Sequence, residues 1–411
     1  MKRWIWLVMG LTACVGGKRG KARFEAQLPP VTLPAEAHEA CGHGMDRIIA
    51  TPDTHTRYVD EGLVQYTEVE TGHEDGLVVP IFAGSNVSAE QILRARELLR
   101  FYLRDHPGST WGDDKSEVAV AMADNGSVLV MPNGAHEEGN EPRVPAQPLY
   151  DHETPVAGDD WFMTNDYEHR DAAFEEIFHL VHDNGIGATP GTGALPDYQD
   201  ALLTEALASL EDGRWGIPID PEVSRWIEEL RREGSLAQEY IASVIDSWYG
   251  LWGPWDEADG GMWGIYIAKT RAEVESLDPA GGALLSDFLP GQLTTVEPID
   301  AGFSGTLSLV FDPALPYTHK TQYFTSVRLL GDGAVTVQGN DADNAVVAGP
   351  GELLFDGGAG EDTLVVCHTS EEVQVDGDTV TGPDGQVWTL SQVETVHLLD
   401  AVVELPENSA R

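Results

Sequence analysis

The sequence predicts an α+β fold: a mixed lobe of helices and strands, a helical lobe after it, and a small all-β domain towards the C-terminal end. Three observations lead there. Residues 88–105, SAEQILRARELLRFYLRD, and the apolar stretch GSVLVMPNG at 126–134 set a helix and a strand next to each other in the first block. From 168 to 290 the pattern is mostly helical. Beyond about residue 300 it turns to alternating, strand-like runs such as SGTLSLVF and YFTSVRLL.

The chain of 411 residues begins MKRWIWLVMGLTAC, where a basic start, an apolar run and small residues lead to Cys14 in the layout of a secretory signal. The run is too short to cross a bilayer as a permanent helix. LTAC, Leu11 to Cys14, resembles the lipobox of bacterial lipoproteins. That resemblance implies a signal peptide over 1–13, lipid on Cys14, and an extracytoplasmic protein attached to the membrane through that lipid only. Residues 14–45 are rich in Gly, Pro and charge without apolar periodicity, as a surface tether is. Within them His38, Cys41 and His43 suggest a metal, but the two histidines are five apart and share no helical face. Cys41 and Cys367 are the other cysteines, which excludes an extensive disulfide framework and leaves them either paired or free.

Folded structure is expected from Asp46. In the helix over 88–105, Ser88 is the N-cap, Glu90 and Gln91 lie in the first turn, and Ile92, Leu93, Leu99, Tyr102 and Leu103 supply an apolar side. The helical block divides into 171–183, 197–211, 221–232 and 235–250, each bounded by Gly, Pro or an acidic cap. The Trp-rich run SWYGLWGPW offers Trp248, Tyr249, Trp252 and Trp255 for packing or for stacking on sugar rings, and packing is the commoner fate.

The stretch FEEIFHLVHD, residues 174–183, carries the candidate chemistry. Glu175, His179 and His182 stand at i, i+4 and i+7 and line one helical face, with Glu176 one position round. Ligands one turn apart can grip a metal ion, and a carboxylate beside them can take a proton from a metal-activated water. Phe174, Ile177, Phe178 and Val181 occupy the other side and anchor the helix in a core, so the His/Glu face is not required for packing. Gly185 is expected to end the helix in a left-handed conformation.

Glu175-Glu176-Ile177-Phe178-His179 resembles the H-E-x-x-H motif of the zincin metalloproteases, with Glu175 in place of the first His. The resemblance implies Glu176 as general base and His179 as a metal ligand, with Glu175 or His182 as a second. The extra carboxylate weakens the ion as a Lewis acid. A third ligand from a later helix follows from the gluzincin pattern. SLAQEYIASVIDSWYG is similar to the second helix of proteases like the catalytic domain of anthrax lethal factor and implies Glu239, while Glu205 in LLTEALASLED is the alternative. Leu236, Ile241, Val244 and Ile245 favour Glu239 by burying its helix. Tyr240, Tyr249 and His169 are candidates to steady an oxyanion. GSVLVMPNG is expected as an edge strand pairing with an extended peptide.

Aligned in nines, residues 330–365 place Val337, Val346, Phe355 and Leu364 at the eighth position of successive repeats. The last, GGAGEDTLV, matches the calcium-binding nonapeptide fully, and the segment resembles the RTX β-roll family. Asn344 and Leu353 depart from the pattern at the sixth position. The resemblance implies that turns eighteen residues apart stack, so that Asp341, Asp343 and Asp362 share Ca2+. The predicted division is thus a zincin-like domain over 46–295, a β-rich connector over 296–329 and a β-roll over 330–405.

Lys and Arg total 24 against 69 Asp and Glu, a net charge of −45 that repels nucleic acid and anionic membrane surfaces and argues against a nucleic-acid partner. The resulting expectation is a lipid-anchored peptidase that uses Zn2+ or another divalent transition metal, binds Ca2+ and acts on a peptide or protein. The alternatives are a calcium-binding surface adhesin or scaffold with an inactive zincin-like domain, and a glycan-binding lipoprotein.

Overall fold

The structure, a computed structural model, describes residues 39–42, 44–136, 141–188 and 192–406. Cys14, His38 and His43 lie outside them. The fold is α+β, with three sheets. Among the described residues no helix is long and apolar enough to cross a membrane.

The first sheet has the order β1 (Ile49–Ala50), β2 (Leu63–Glu70), β3 (Val78–Gly84), β4 (Leu129–Met131) and β5 (Gln147–Pro148). Its first three strands run antiparallel, and β3, β4 and β5 run parallel. GSVLVMPNG therefore supplies an interior strand, correcting the expected edge. Leu129, Val130 and Met131 are all buried, as a short apolar strand flanked on both sides must be. The edge next to the helical lobe is β5, only two residues long and ending in Pro148, which has no amide N–H to offer.

We number the helices of seven residues or more. α1 (Ala89–Leu103) starts where Ser88 predicts: Ser88 Oγ accepts from Gln91 N at 3.2 Å and Gln91 Oε1 accepts from Ser88 N at 2.9 Å, a capping box. α2 (Ser116–Asp124) follows, then α3 (Ala173–Val181), α4 (Pro196–Asp212), α5 (Pro221–Glu233), α6 (Leu236–Trp248), α7 (Arg271–Leu277) and α8 (Pro279–Ser286). Proline at the first position opens α4, α5 and α8, where its missing N–H is no loss. Every residue of α3 and α6 is buried, the two helices pack on each other, and α1 packs on α3 as well.

α3 does not stop at Gly185. A π-helical turn over His182–Ile186 continues it, and Gly187, at φ 104°, takes the left-handed position instead. Gly185 has a different use: a Cβ there would sit 2.7 Å from Val118 Cγ1 on α2, so its lack of a side chain lets the two elements approach.

The C-terminal strands form a coil in which the chain passes alternately between two sheets. β6 (Leu293–Ile299), β8 (Phe324–Leu329), β10 (Ala345–Val347), β12 (Thr363–Val365) and β16 (Thr395–His397) run parallel in one. β7 (Gly305–Ser308), β9 (Val335–Gln338), β11 (Leu353–Asp356) and β15 (Val387–Ser391) run parallel in the other. Antiparallel strands β13 (Gln374–Asp376), β14 (Thr379–Thr381) and β17 (Val402–Glu404) finish the edges. The eighth-position residues Val337, Val346, Phe355 and Leu364 all point inside and are buried. Val346 pairs with Leu364 and Val337 with Phe355, so turns eighteen residues apart do stack. Residues 296–329 contribute rungs β6 to β8 of the same coil.

Two features bind coil and lobe into one body. Cys41 and Cys367 form a disulfide across 326 residues of sequence, pinning the 39–42 segment against Val347 and Val365. Arg94 of α1, wholly buried, donates to Asp171 (2.9 and 2.6 Å) and to Glu297 of β6 (2.9 Å). Burial opposes its charge, but Asp171 and Glu297 outweigh it and hold the guanidinium above its ordinary pKa.

Candidate metal centre

The face of α3 that carries Glu175, Glu176 and His179 is not a solvated acidic surface. It is turned inward against α6, and Glu175, Glu176, His179 and Glu239 are 2, 6, 4 and 1 % exposed. One donor atom from each of Glu175, His179 and Glu239 lies within 4.8 Å of the others; no other trio of His, Cys or carboxylate side chains among the described residues meets that condition. His179 is central: Nε2 is 3.6 Å from Glu239 Oε1, and Nδ1 is 3.5 Å from Glu176 Oε2. These separations exceed a hydrogen bond. His179 Nε2 and Glu239 Oε2 are buried without any hydrogen-bond partner. Buried polar atoms are normally satisfied, so an unpartnered atom on each of two neighbouring residues of the trio suits a cation site.

Burial works against an imidazolium at His179, yet the carboxylates of Glu239, Glu176 and Glu175 overcome it and push the ring up to about 10. Burial likewise raises the Glu239 carboxyl, with the His179 charge opposing. Without an ion, the proton on His179 is the local compensation for crowded carboxylates, and a metal ion must displace it.

The supporting residues were invisible to motif spacing. Gln147 of β5 donates from Nε2 to Glu176 Oε2 at 2.6 Å, fixing that carboxylate beside the trio. Arg170, in the turn before α3, donates from Nη2 to Glu175 Oε2. Its Nη1 lies 3.8 Å from Asp246 Oδ2, and its guanidinium stands 4.9 Å above the Trp263 ring. Asp246 also accepts from Trp252 Nε1 at 3.2 Å. Burial, then Glu175, raises the Asp246 carboxyl well above the usual range. Glu153 adds a further carboxyl, raised to about 7 by burial and then by Glu176. Asp246 stands seven positions after Glu239 on α6, a same-face spacing that could have revealed it. Nothing comparable marks Gln147 or Glu153.

Other predicted residues are placed elsewhere. His182 does not join the trio. Its Nε2 pairs with Gln199 of α4, and burial lowers the ring to about 4, so it is a neutral core histidine. Same-face spacing along α3 was not enough, because the ring turns towards α4, whose position beside the π-turn no helical wheel contains. Glu205 pairs with Arg214 at 2.7 Å. Tyr240 Oη donates to Asp278 at 2.7 Å and Tyr249 Oη to the Pro290 carbonyl at 2.7 Å, so neither faces the trio. His169 stacks on Trp161 at 3.9 Å and pairs with Asp166 at 3.0 Å. Trp248 and Trp252 are buried and Trp255 partly so, the packing arrangement.

At the coil turns, Asp343 Oδ1 accepts from Glu361 N at 2.9 Å, and Asp362 Oδ1 accepts from Asn344 N at 2.7 Å. These bonds stitch the stacked turns. Asp341 and Asp343 are exposed and Asp362 is buried, and their carboxylates do not converge as the trio does. Asn344, at the sixth position, spends its Oδ1 on Asn340 N at 2.7 Å. Asp362 Oδ2 and, at the end of β11, Asp356 Oδ1 stay buried without a partner.

Comparison with known protein families, curated proteins and solved structures gave no match.

Proposed function

We propose that the chain is a metal-dependent peptidase in which Glu175, His179 and Glu239 hold a divalent transition-metal ion and Glu176 handles the proton of the attacking water. The observation that carries this reading is the convergence of three buried donors, two of them with a polar atom left without a hydrogen-bond partner, beside a fourth carboxylate that is held separately. One imidazole and two carboxylates suit Zn2+ or another first-row divalent ion. Such an ion, when bound, supplies Lewis acidity at a peptide carbonyl and towards water. Glu176 is placed to accept a proton and return it to the leaving amine, and Gln147 keeps it from turning into the ligand set. The lipobox-like LTAC and the disulfide both suit an extracytoplasmic protein, anchored through Cys14. At the coil, Asp362 with neighbouring turn carbonyls is the candidate Ca2+ position.

Arg170 favours a second reading. Because it already neutralises Glu175, the centre could serve as a buried ion-pair core in a calcium-binding adhesin or scaffold. Hydrolysis of an unfolded protein by wild type and by Glu176→Gln separates the two. The peptidase reading expects a loss on the order of 10²–10⁴-fold with the fold and the metal content kept. Wild-type protein without transition metal, and equal behaviour of the two proteins, leave only the second.

A further inference from the structure

We propose that Arg170 is the positioning residue that lets a carboxylate stand at Glu175, where an imidazole would otherwise be expected: it takes one Glu175 oxygen into a buried ion pair and so sets the direction and net charge of the oxygen left for the ion. The inference rests on the metal-centre reading above and adds the device by which an E-E-x-x-H helix can serve it.

Charge is the problem Arg170 solves. Glu175, Glu176, Glu239 and Asp246 are buried close together, and the guanidinium of Arg170 is set against Glu175 and Asp246. Two carboxylates and one imidazole carry one more negative charge than two imidazoles and one carboxylate. A guanidinium on Glu175 removes that excess at its source, and it cannot deprotonate under any ordinary condition.

The geometry matches a fixed strut. Arg170 lies five residues before Glu175, is itself buried, donates from Nη2 to Glu175, and has Asp246 Oδ2 at 3.8 Å from Nη1 and the Trp263 ring 4.9 Å from its guanidinium. Asp246 is steadied in turn by Trp252. The bond goes to Glu175 Oε2, which leaves Oε1 as the oxygen that would be offered to an ion.

The test is a cycle of Arg170→Met and Glu175→His, read as Zn2+ and Mn2+ affinity by competition with a chromophoric chelator, beside thermal unfolding of each metal-free protein. Arg170→Met alone is expected to weaken metal binding by about 10–100-fold, because Glu175 loses its support. Glu175→His alone is expected to weaken it similarly, because the guanidinium then faces an imidazole and an ion with no carboxylate between them. In Glu175→His the further change Arg170→Met is expected to strengthen binding by about tenfold or more, the opposite sign to its effect in wild type. Arg170→Gln serves as a second neutral replacement where Met impairs folding, and Arg170→Lys, which keeps the charge, is expected not to rescue Glu175→His. Additive losses, or rescue by Lys as good as by Met and Gln, overturn the role of Arg170 while leaving the metal centre standing. Wild-type protein that binds neither ion overturns both.

Discussion

Two places in this molecule concentrate carboxylates, and they use them differently. At the coil turns, Asp343 and Asp362 each give an oxygen to a main-chain N–H of the neighbouring turn, so their first use is to stitch rungs eighteen residues apart. In the helical lobe, Glu175 and Glu176 take side-chain donors, Arg170 and Gln147, while His179 Nε2 and Glu239 Oε2 stay free. Main-chain amides are everywhere in a turn, and they consume acceptors. The inside of a helix pair offers none, since its amides are already paired along the helix. A buried acidic cluster between helices is therefore left wanting a cation, whereas on the coil Asp343 and Asp362 each have one oxygen satisfied by the backbone, with Asp362 Oδ2 and Asp356 Oδ1 left over.

The joint between these regions gives the largest way to break the contrast. Arg94→Met leaves Asp171 and Glu297 buried without their cation, and is expected to lower stability by about 3–5 kcal/mol in chemical denaturation, because half of a buried ion pair is worse than none. Coil and lobe then unfold in separate transitions, whereas a single unshifted transition would show that the joint carries no load.

Lys115 sharpens the comparison from the other side, as a buried cation that lacks what Arg170 has. Its Nζ has no hydrogen-bond partner, lies 4.3 Å from the Phe288 ring centroid, and burial pushes its pKa down to about 7. Between that value and the ordinary lysine range near 10.4 the unfolded chain binds a proton that the fold does not, so stability rises with pH across this window and the folded state is penalised below it. Lys115→Met is expected to stabilise the protein by about 1–3 kcal/mol at pH 7, with the gain vanishing above pH ~10.5. A pH-independent gain, or a loss, in thermal unfolding would contradict this.

The smallest effect belongs to the coil. Adding Ca2+ is expected to raise the melting temperature of wild type by an amount equivalent to about 1–2 kcal/mol and to leave Asp362→Asn unmoved. Equal shifts in both would place Ca2+ away from Asp362.

What the sequence made legible follows from how local each signal is. Ser88 and Gln91 announce the start of α1, and Val337, Val346, Phe355 and Leu364 announce the coil, because caps and repeat periods are fixed by neighbours in the chain. His179 and Glu239 were legible, with Glu175 or His182 left open beside them, since a helical face and a buried-looking second helix suffice to suggest them; the structure groups Glu175 with them. His182 was misplaced, and Gln147, Glu153 and Arg170 were missed, for one shared reason: their roles depend on which element packs beside α3. The same holds for GSVLVMPNG, whose apolar residues fit an edge or an interior strand until β5 is seen beside it. Gly185 shows the limit even of local rules, because tight packing on Val118, rather than a left-handed turn, accounts for it.

The central claim is that Glu175, His179 and Glu239 hold a metal ion. The most direct measurement is elemental analysis, after equilibrium dialysis against Zn2+ and Mn2+, of wild type beside His179→Ala, with folding of both verified by circular dichroism. The account predicts stoichiometric transition metal in wild type and its loss in His179→Ala at retained fold. Metal absent from wild type, or present equally in both, would contradict it.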